Sequence, residues 1–401
     1  MKKLFFSAGD YSGDVHCALL IRELLARHPD WQIFALGGAQ MKAAGAQIIG
    51  DTSELGVIGF TSALATLPRT LKLRSNALHF LWESKPDAAI LCDFGGFNTR
   101  ILPDLKRAAI PVLYYFPPRS WQKHGKGGLQ IAPFCAQIAT PFEWSATRLN
   151  QAGGNASWVG HPILEIINPT KNEAASFFVE NETNSTAAES IRANLRAEFG
   201  VLEHQKLIAL LPGSRALERK IIAPHVAGAV RVLKQKFEAS FFVAATSGTS
   251  SKLQKIFGQG VQIVENRTLD LLRAADAAIV KSGTSTLEAA ALGCPQVVVY
   301  DVPALIRAQV RLTRLQKKVP FVAMPNIILE REIVPELLGD DCRAPQIAEA
   351  LSKLLENDAT RTRMREDYAL VRAALGENLP YTATHRTADL VEELVGVFPP
   401  P

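Results

Sequence analysis

Residues 277–300 read AAIVKSGTSTLEAAALGCPQVVVY. Ala277 to Val280 is apolar on both faces, which predicts a strand covered on both sides rather than one alternating between core and water. Lys281 to Ser285 is short, polar and contains a glycine, so it reads as a loop. A helix is expected to follow, and Gln296 to Tyr300 is strand-like again. Buried strands joined through a helix run parallel, because a tight hairpin cannot make that connection. The stretch therefore predicts a βαβ unit and, with it, an α/β fold.

The pattern extends outward on both sides. Further strands are expected at Leu207–Leu211, Phe241–Ala245 and Val261–Val264. An earlier set is expected at Leu4–Ala8, Gln32–Leu36, Ala88–Cys92, Pro111–Phe116 and Gln137–Ala139. A helix from about Asp14 to His28 follows the first strand. Two Rossmann-like halves facing a cleft result. Residues 1–165 form an N-terminal domain and 201–375 a C-terminal domain. Residues 166–200 are polar and weakly periodic and read as a linker or insertion with a short helix. Residues 376–401 form a terminal helix and tail, Tyr381–Val397 being amphipathic.

Composition agrees with a folded enzyme-sized chain. The 401 residues are 47% hydrophobic and 21% charged, an ordinary globular balance, with room for two cores. The formal charge of +5 suits anionic small molecules or an anionic surface without demanding nucleic acid. The five cysteines are odd in number and lack a CxxC pair, so reduced thiols in a cytoplasmic protein are expected. No run reaches the roughly 18–20 apolar residues that span a bilayer, so any membrane contact is peripheral. Leu64, Leu67, Leu71, Leu78 and Trp82 recur near helical spacing beside Arg69, Lys72 and Arg74. That face suits either the anionic inner surface of the cytoplasmic membrane or packing on the sheet.

Four loops after strands carry candidate chemistry. Ser7–Asp14 reads SAGDYSGD, where small residues and a helix start let a ligand approach, or where Asp14 merely caps the helix. Leu211–Arg215 reads LPGSR. Gly213 and Ser214 offer backbone donors and Arg215 a planar fork for phosphate oxygens, unless this is an ordinary turn. Lys281–Glu288 reads KSGTSTLE. Ser282, Gly283, Thr284 and Ser285 can present amides and hydroxyls to a diphosphate, with Glu288 one turn on, able to accept from ribose hydroxyls; capping is the alternative. Cys92–Asn98 reads CDFGGFN and sets Asp93 at a strand's carboxyl end, where a base can meet a ligand or a turn can simply close. His161, in Val-Gly-His-Pro, fixes a hinge or takes part in chemistry. No DxD metal motif and no GxGxxG or GK[ST] fingerprint is present, so neither metal nor cofactor is expected.

Together these motifs resemble the lipid-A-disaccharide synthase family, inverting glycosyltransferases of the two-Rossmann GT-B architecture, which implies an acceptor-binding N-terminal domain, a UDP-sugar-binding C-terminal domain and a C-terminal helix that crosses back to the first domain rather than capping the second. The resemblance runs in order through SAGDYSGD, GVIGF at 56–60, LPR at 67–69, KPDAAILCDFGGFN, VGHP, LLPGSR, SGTSTLE with GCPQVVVY, and VAMPNIILEREIVPELL. It implies transfer of an acylated glucosamine from a UDP-sugar donor to an acylated glucosamine 1-phosphate acceptor, forming a β-1,6 disaccharide and releasing UDP. It further implies Asp93 as base, Arg215, Glu288 and Asn326 on the nucleotide side, and Ser12, Gly13, Asp14, Trp121 and His161 on the acceptor side. Two departures fall in the acceptor half. Gly96 replaces the second aspartate of the family's DxPDFN segment, and Phe116–Gly125 keeps Trp121 but not a second tryptophan. A related transferase with another acceptor, a UDP-sugar-binding protein without turnover, and a UDP-sugar epimerase remain open. Oligomeric state is not legible.

Overall fold

The computed structural model describes residues 1–52, 60–168, 183–303, 307 and 320–396. They divide into two compact units, Met1–Glu165 with Ala374–Pro401, and Ile166–Ala373. The GVIGF stretch up to Gly59 and most of the 170–190 insertion lie outside the described residues.

The first unit holds a seven-stranded sheet. Its strands are β1 (Lys3–Ser7), β2 (Gln32–Gly37), β3 (Gln47–Asp51), β4 (Ala88–Cys92), β5 (Val112–Tyr115), β6 (Gln137–Thr140) and β7 (Ala156–Trp158). They lie in the order β3-β2-β1-β4-β5-β6-β7, with every pair parallel. Successive residues of the strands enter opposite cores. Leu4, Phe6, Ile90, Leu113 and Tyr115 pack on one side; Phe5, Ala89, Leu91, Val112 and Tyr114 pack on the other. Sheets covered on both faces need apolar residues at every position, which is why these strands read as unbroken runs.

The second unit repeats the plan. Strands β8 (Lys206–Leu211), β9 (Ala239–Ala245), β10 (Gln262–Glu265), β11 (Ala277–Lys281), β12 (Gln296–Tyr300) and β13 (Glu336–Leu338) lie in the order β10-β9-β8-β11-β12-β13, again all parallel. In each unit the connection reverses direction between the first and fourth strands. Ligands of open parallel sheets settle at the carboxyl ends beside such a reversal.

The helix Ala383–Leu394 belongs to the first unit. Its Leu390 and Val391 share a core with Leu20 and Leu24 of the helix Tyr11–Arg27. Each such side chain contributes about 1.5–3 kcal/mol on full burial. Polar contacts fix the register: Arg27 reaches Asp389 at 2.8 Å and Glu392 at 3.1 Å, and buried Glu165 accepts from the Thr384 N–H at 2.9 Å. Where the chain rejoins this unit, Gly160 and Gly376 adopt φ of +86° and +94°. A Cβ on Gly376 would stand 3.0 Å from the Gly160 Cα, so the close approach excludes side chains.

The segment expected to be a linker contains a helix, Thr183–Glu198. Asp276 anchors it, accepting from Arg192 at 2.7 Å, Arg196 at 3.1 Å and the Leu207 N–H at 2.8 Å. Burial pulls the Asp276 carboxyl upward, but these donors outweigh it and leave it below the usual carboxylate range.

Candidate active and nucleotide-binding sites

All four sequence loops fall at the two switch points. SAGDYSGD follows β1 and CDFGGFN follows its neighbour β4. LPGSR follows β8 and KSGTS follows its neighbour β11.

In the first unit the two loops are tied together. The Ser7 hydroxyl donates to Asn98 Oδ1 at 2.7 Å, and Asn98 Nδ2 reaches the carbonyls of Ser7, Cys92 and Asp93 at 3.0–3.3 Å. Gly9 lies under the Phe94 ring, where a Cβ would approach to 2.0 Å. Asp93 and Phe94 both take left-handed backbone, with φ of +41° and +46°. Such residues cost roughly 1–3 kcal/mol each and persist only where surroundings hold them. Here Tyr114 donates its hydroxyl to the Asp93 carbonyl at 2.7 Å, and the Asp93 N–H donates to the carbonyls of Tyr115 and Phe116 at 3.1 Å. The backbone is clamped while the side chain stays accessible to solvent. Crowding by protein, and then the charge of Asp10, raise its carboxyl to about 6, against a smaller pull from the Phe94 N–H. Among the described residues it has no ion-pair partner, so its acidity is left free for proton transfer.

Asp14 and His161 are held in networks within the first unit. Asp14 does not cap its own helix; Asp10 does, accepting from the Gly13 N–H at 2.8 Å. The buried Asp14 carboxylate instead accepts from Gly38, Gln40 and Met41 at 2.8–3.1 Å and caps the next helix, Ala39–Ala43. His161 is buried against His16 and Phe116, with its Nδ1 accepting from the Ile163 N–H at 3.0 Å. Burial and the neighbouring His16 hold its pKa well below the usual value, so it is neutral and its acceptor nitrogen is used. The His161 backbone N–H donates to the Leu375 carbonyl at 2.8 Å, joining the two chain segments of the unit. His16, unmarked by any motif, stacks on Phe116 at 4.6 Å and its pKa is lowered to about 4 by burial. Ser12 and Gly13 open the helix after the first loop, and Trp121 is half-buried in the 116–128 segment.

In the second unit Glu218 joins the loops. It lies in the first turn of the helix Ala216–Lys236 and meets Arg215 at 3.4 Å and Lys281 Nζ at 2.7 Å. Gly213 and Gly283 have φ of +112° and +147°, and a Cβ on Gly213 would meet the Glu218 Cβ at 2.9 Å. Glu288 stands in the helix Thr284–Ala291, its carboxyl raised by burial. Thr284 is exposed at the start of that helix.

Two expected ligand residues are otherwise engaged. The Ser282 N–H donates to the Val299 carbonyl at 3.0 Å and its hydroxyl to the Val322 carbonyl at 2.8 Å, so neither faces a phosphate. Asn326 is fully buried. It donates to the Val334 carbonyl and Glu336, both at 2.8 Å, and accepts from the Ile333 and Val334 N–H groups at 2.8 and 3.0 Å. With both amide hydrogens and the carbonyl engaged, its side chain shapes the loop before β13.

A family model described as lipid-A-disaccharide synthetase matches residues 4–385. The lipid-A-disaccharide synthase of Prochlorococcus marinus (strain MIT 9313) is 34% identical over 396 residues, covering 94% of this chain and 95% of that one. Among solved structures, UDP-GlcNAc 2-epimerase from Neisseria meningitidis bound to UDP-GlcNAc is similar at a TM-score of 0.61 and 14% identity, over 94% of this chain and 99% of that one. The calicheamicin glycosyltransferase CalG4 is similar at a TM-score of 0.54 and 16% identity, over 100% of both chains. At such identities the two structures speak to the fold alone.

Proposed function

The chain belongs to the lipid-A-disaccharide synthetase family, and from that premise we propose that it joins two acylated glucosamines at the cost of a UDP-sugar bond. The donor is a UDP-linked acylated glucosamine and the acceptor an acylated glucosamine 1-phosphate. Asp93 removes the proton of the acceptor hydroxyl as its oxygen bonds to the donor's anomeric carbon. The bond from that carbon to the diphosphate oxygen breaks, and its electron pair leaves with UDP. Arg215 receives the diphosphate and Glu288 the ribose hydroxyls. The observation that carries this reading is the clamped but unpaired Asp93 carboxylate, poised near 6 at the first unit's switch point.

The test is incubation with the UDP-sugar and the phosphorylated acceptor, followed by mass spectrometry. A disaccharide 1-phosphate together with UDP, formed only when both substrates are present, is expected. Binding without UDP release would mark a non-catalytic binder, and an isomerised donor an epimerase; either overturns the reading. We further propose that the helix Phe60–Ser84 meets an anionic bilayer carrying the acylated substrates. Support comes from Leu71 and Trp82, exposed by 56% and 52%. Lys72 is exposed next to Leu71, and Arg74 pairs with Asp104 at 2.8 Å.

A further inference from the structure

Lys281 occupies an unusual place for a lysine. It ends β11, whose other four residues are fully buried, and its own side chain is only 14% exposed. Its Nζ lies 2.7 Å from Glu218 and 5.8 Å from the centre of the Tyr300 ring. Glu218 is shared: the same carboxylate oxygen lies 3.4 Å from Arg215. One carboxylate between two cations leaves a net positive charge where the β8 and β11 loops meet.

The surrounding backbone leads to the same point. A Cβ on Gly283 would come within 3.4 Å of Lys281 Nζ, and one on Gly213 within 2.8 Å of a Glu218 carboxylate oxygen. The glycines of both loops thus lie against this pair of side chains. An anion taking the amides of either loop would find Nζ beside it.

We propose that Lys281 binds the terminal phosphate of the nucleoside diphosphate, with Glu218 holding its ammonium in place until the anion arrives. The inference rests on the nucleotide site proposed above. As the glycosidic carbon–oxygen bond breaks, the electron pair and the new charge stay on the phosphate oxygen. Lys281 donates a hydrogen bond to that oxygen and keeps its proton. Arg215 and Lys281 then grip the diphosphate from separate loops, an arrangement preorganised for the charge that develops on departure.

The experiment compares UDP with UMP by calorimetry in the full chain. Lys281→Met should weaken UDP by about 10- to 100-fold, the range of a lost charged hydrogen bond, and leave UMP within two-fold. Because that variant takes from Glu218 its nearer cation and leaves Arg215 as the other, the double variant Lys281→Met/Glu218→Gln is measured alongside. It should fold with the wild-type melting temperature to within a few degrees and still fail to prefer UDP. Recovery of the UDP preference in the double variant, or equal losses for UDP and UMP, overturns the role of Lys281. A wild-type chain that binds neither nucleotide overturns the nucleotide site itself.

Discussion

Asp93 combines a strained backbone with a carboxyl raised to about 6. If it is the base, kcat/KM should climb as pH passes through about 6 and level off above. Asp93→Asn keeps shape and tolerates the left-handed backbone, so UDP binding should persist while turnover falls by about 10² to 10⁴. Full activity in that variant would move the base elsewhere. The raised value also has a sign for stability. The folded chain holds this proton more tightly than the unfolded chain, whose carboxyl titrates near 3.8. The contribution is therefore fully present below 3.8 and lost as pH rises through about 6. The melting temperature of Asp93→Asn should gain on wild type across that window, and a constant difference would refute it. Asp93 was legible because a carboxylate after a buried strand stands at the ligand end of a parallel sheet. The cap that Asp14 makes was not legible because its partners, Gly38, Gln40 and Met41, lie in another segment, and the sequence around a residue does not reveal who meets its side chain. Lys281 drew no role because nothing local distinguishes a lysine held by a distant carboxylate from one facing water.

At the scale of elements, strands buried on both faces announced themselves, whereas β3, β7 and β13 did not. β7 and β13 have three residues each, and β3 is at best partly buried along its length, so none carries a clear apolar run. The helix Thr183–Glu198 was foreseen only as a short one in a polar segment, because its hold on the second unit comes from ion pairs with Asp276 as much as from apolar burial. Asp276→Ala should cost roughly 1.5–3 kcal/mol, the worth of charged hydrogen bonds. It should also raise amide exchange across 188–198 before the sheet, and uniform exchange would reject this docking. Among the described side chains of the helix Phe60–Ser84 the buried hydrophobic positions are Leu73, Ala77 and Leu81, with Leu78 and Phe80 partly covered. At 100° per residue Leu71 and Trp82 fall within about 20° of one another on the outer side. Leu71→Ser with Trp82→Ser should reduce flotation with anionic vesicles several-fold without lowering the melting temperature. Unchanged flotation would remove the membrane contact from this face. Leu64, Leu67 and Arg69 have side chains outside the described set.

For the whole molecule, the repeated strand order was readable in outline because the strand–helix rhythm restarts near Lys206. The return of the C-terminal helix to the first unit was implied by the family resemblance and not by periodicity, since it is set by contacts between distant segments. The first unit is interrupted at Glu165 and resumed at Ala374, so the second lies inside it as one uninterrupted insertion. Joining 1–165 to 374–396 through a short glycine-serine linker should give a cooperatively melting domain, whereas 1–165 alone should not. Equal behaviour of the two would show that the returning helix is dispensable. The same threading fixes an order of events on the ribosome. The insertion can fold as soon as it has emerged, but the half made first must wait, with Leu20, Leu24 and their neighbours uncovered, for Leu390 and Val391. At roughly 5–20 residues per second the wait is about 10–40 s, long enough for a nascent chain's apolar face to need a chaperone's shelter.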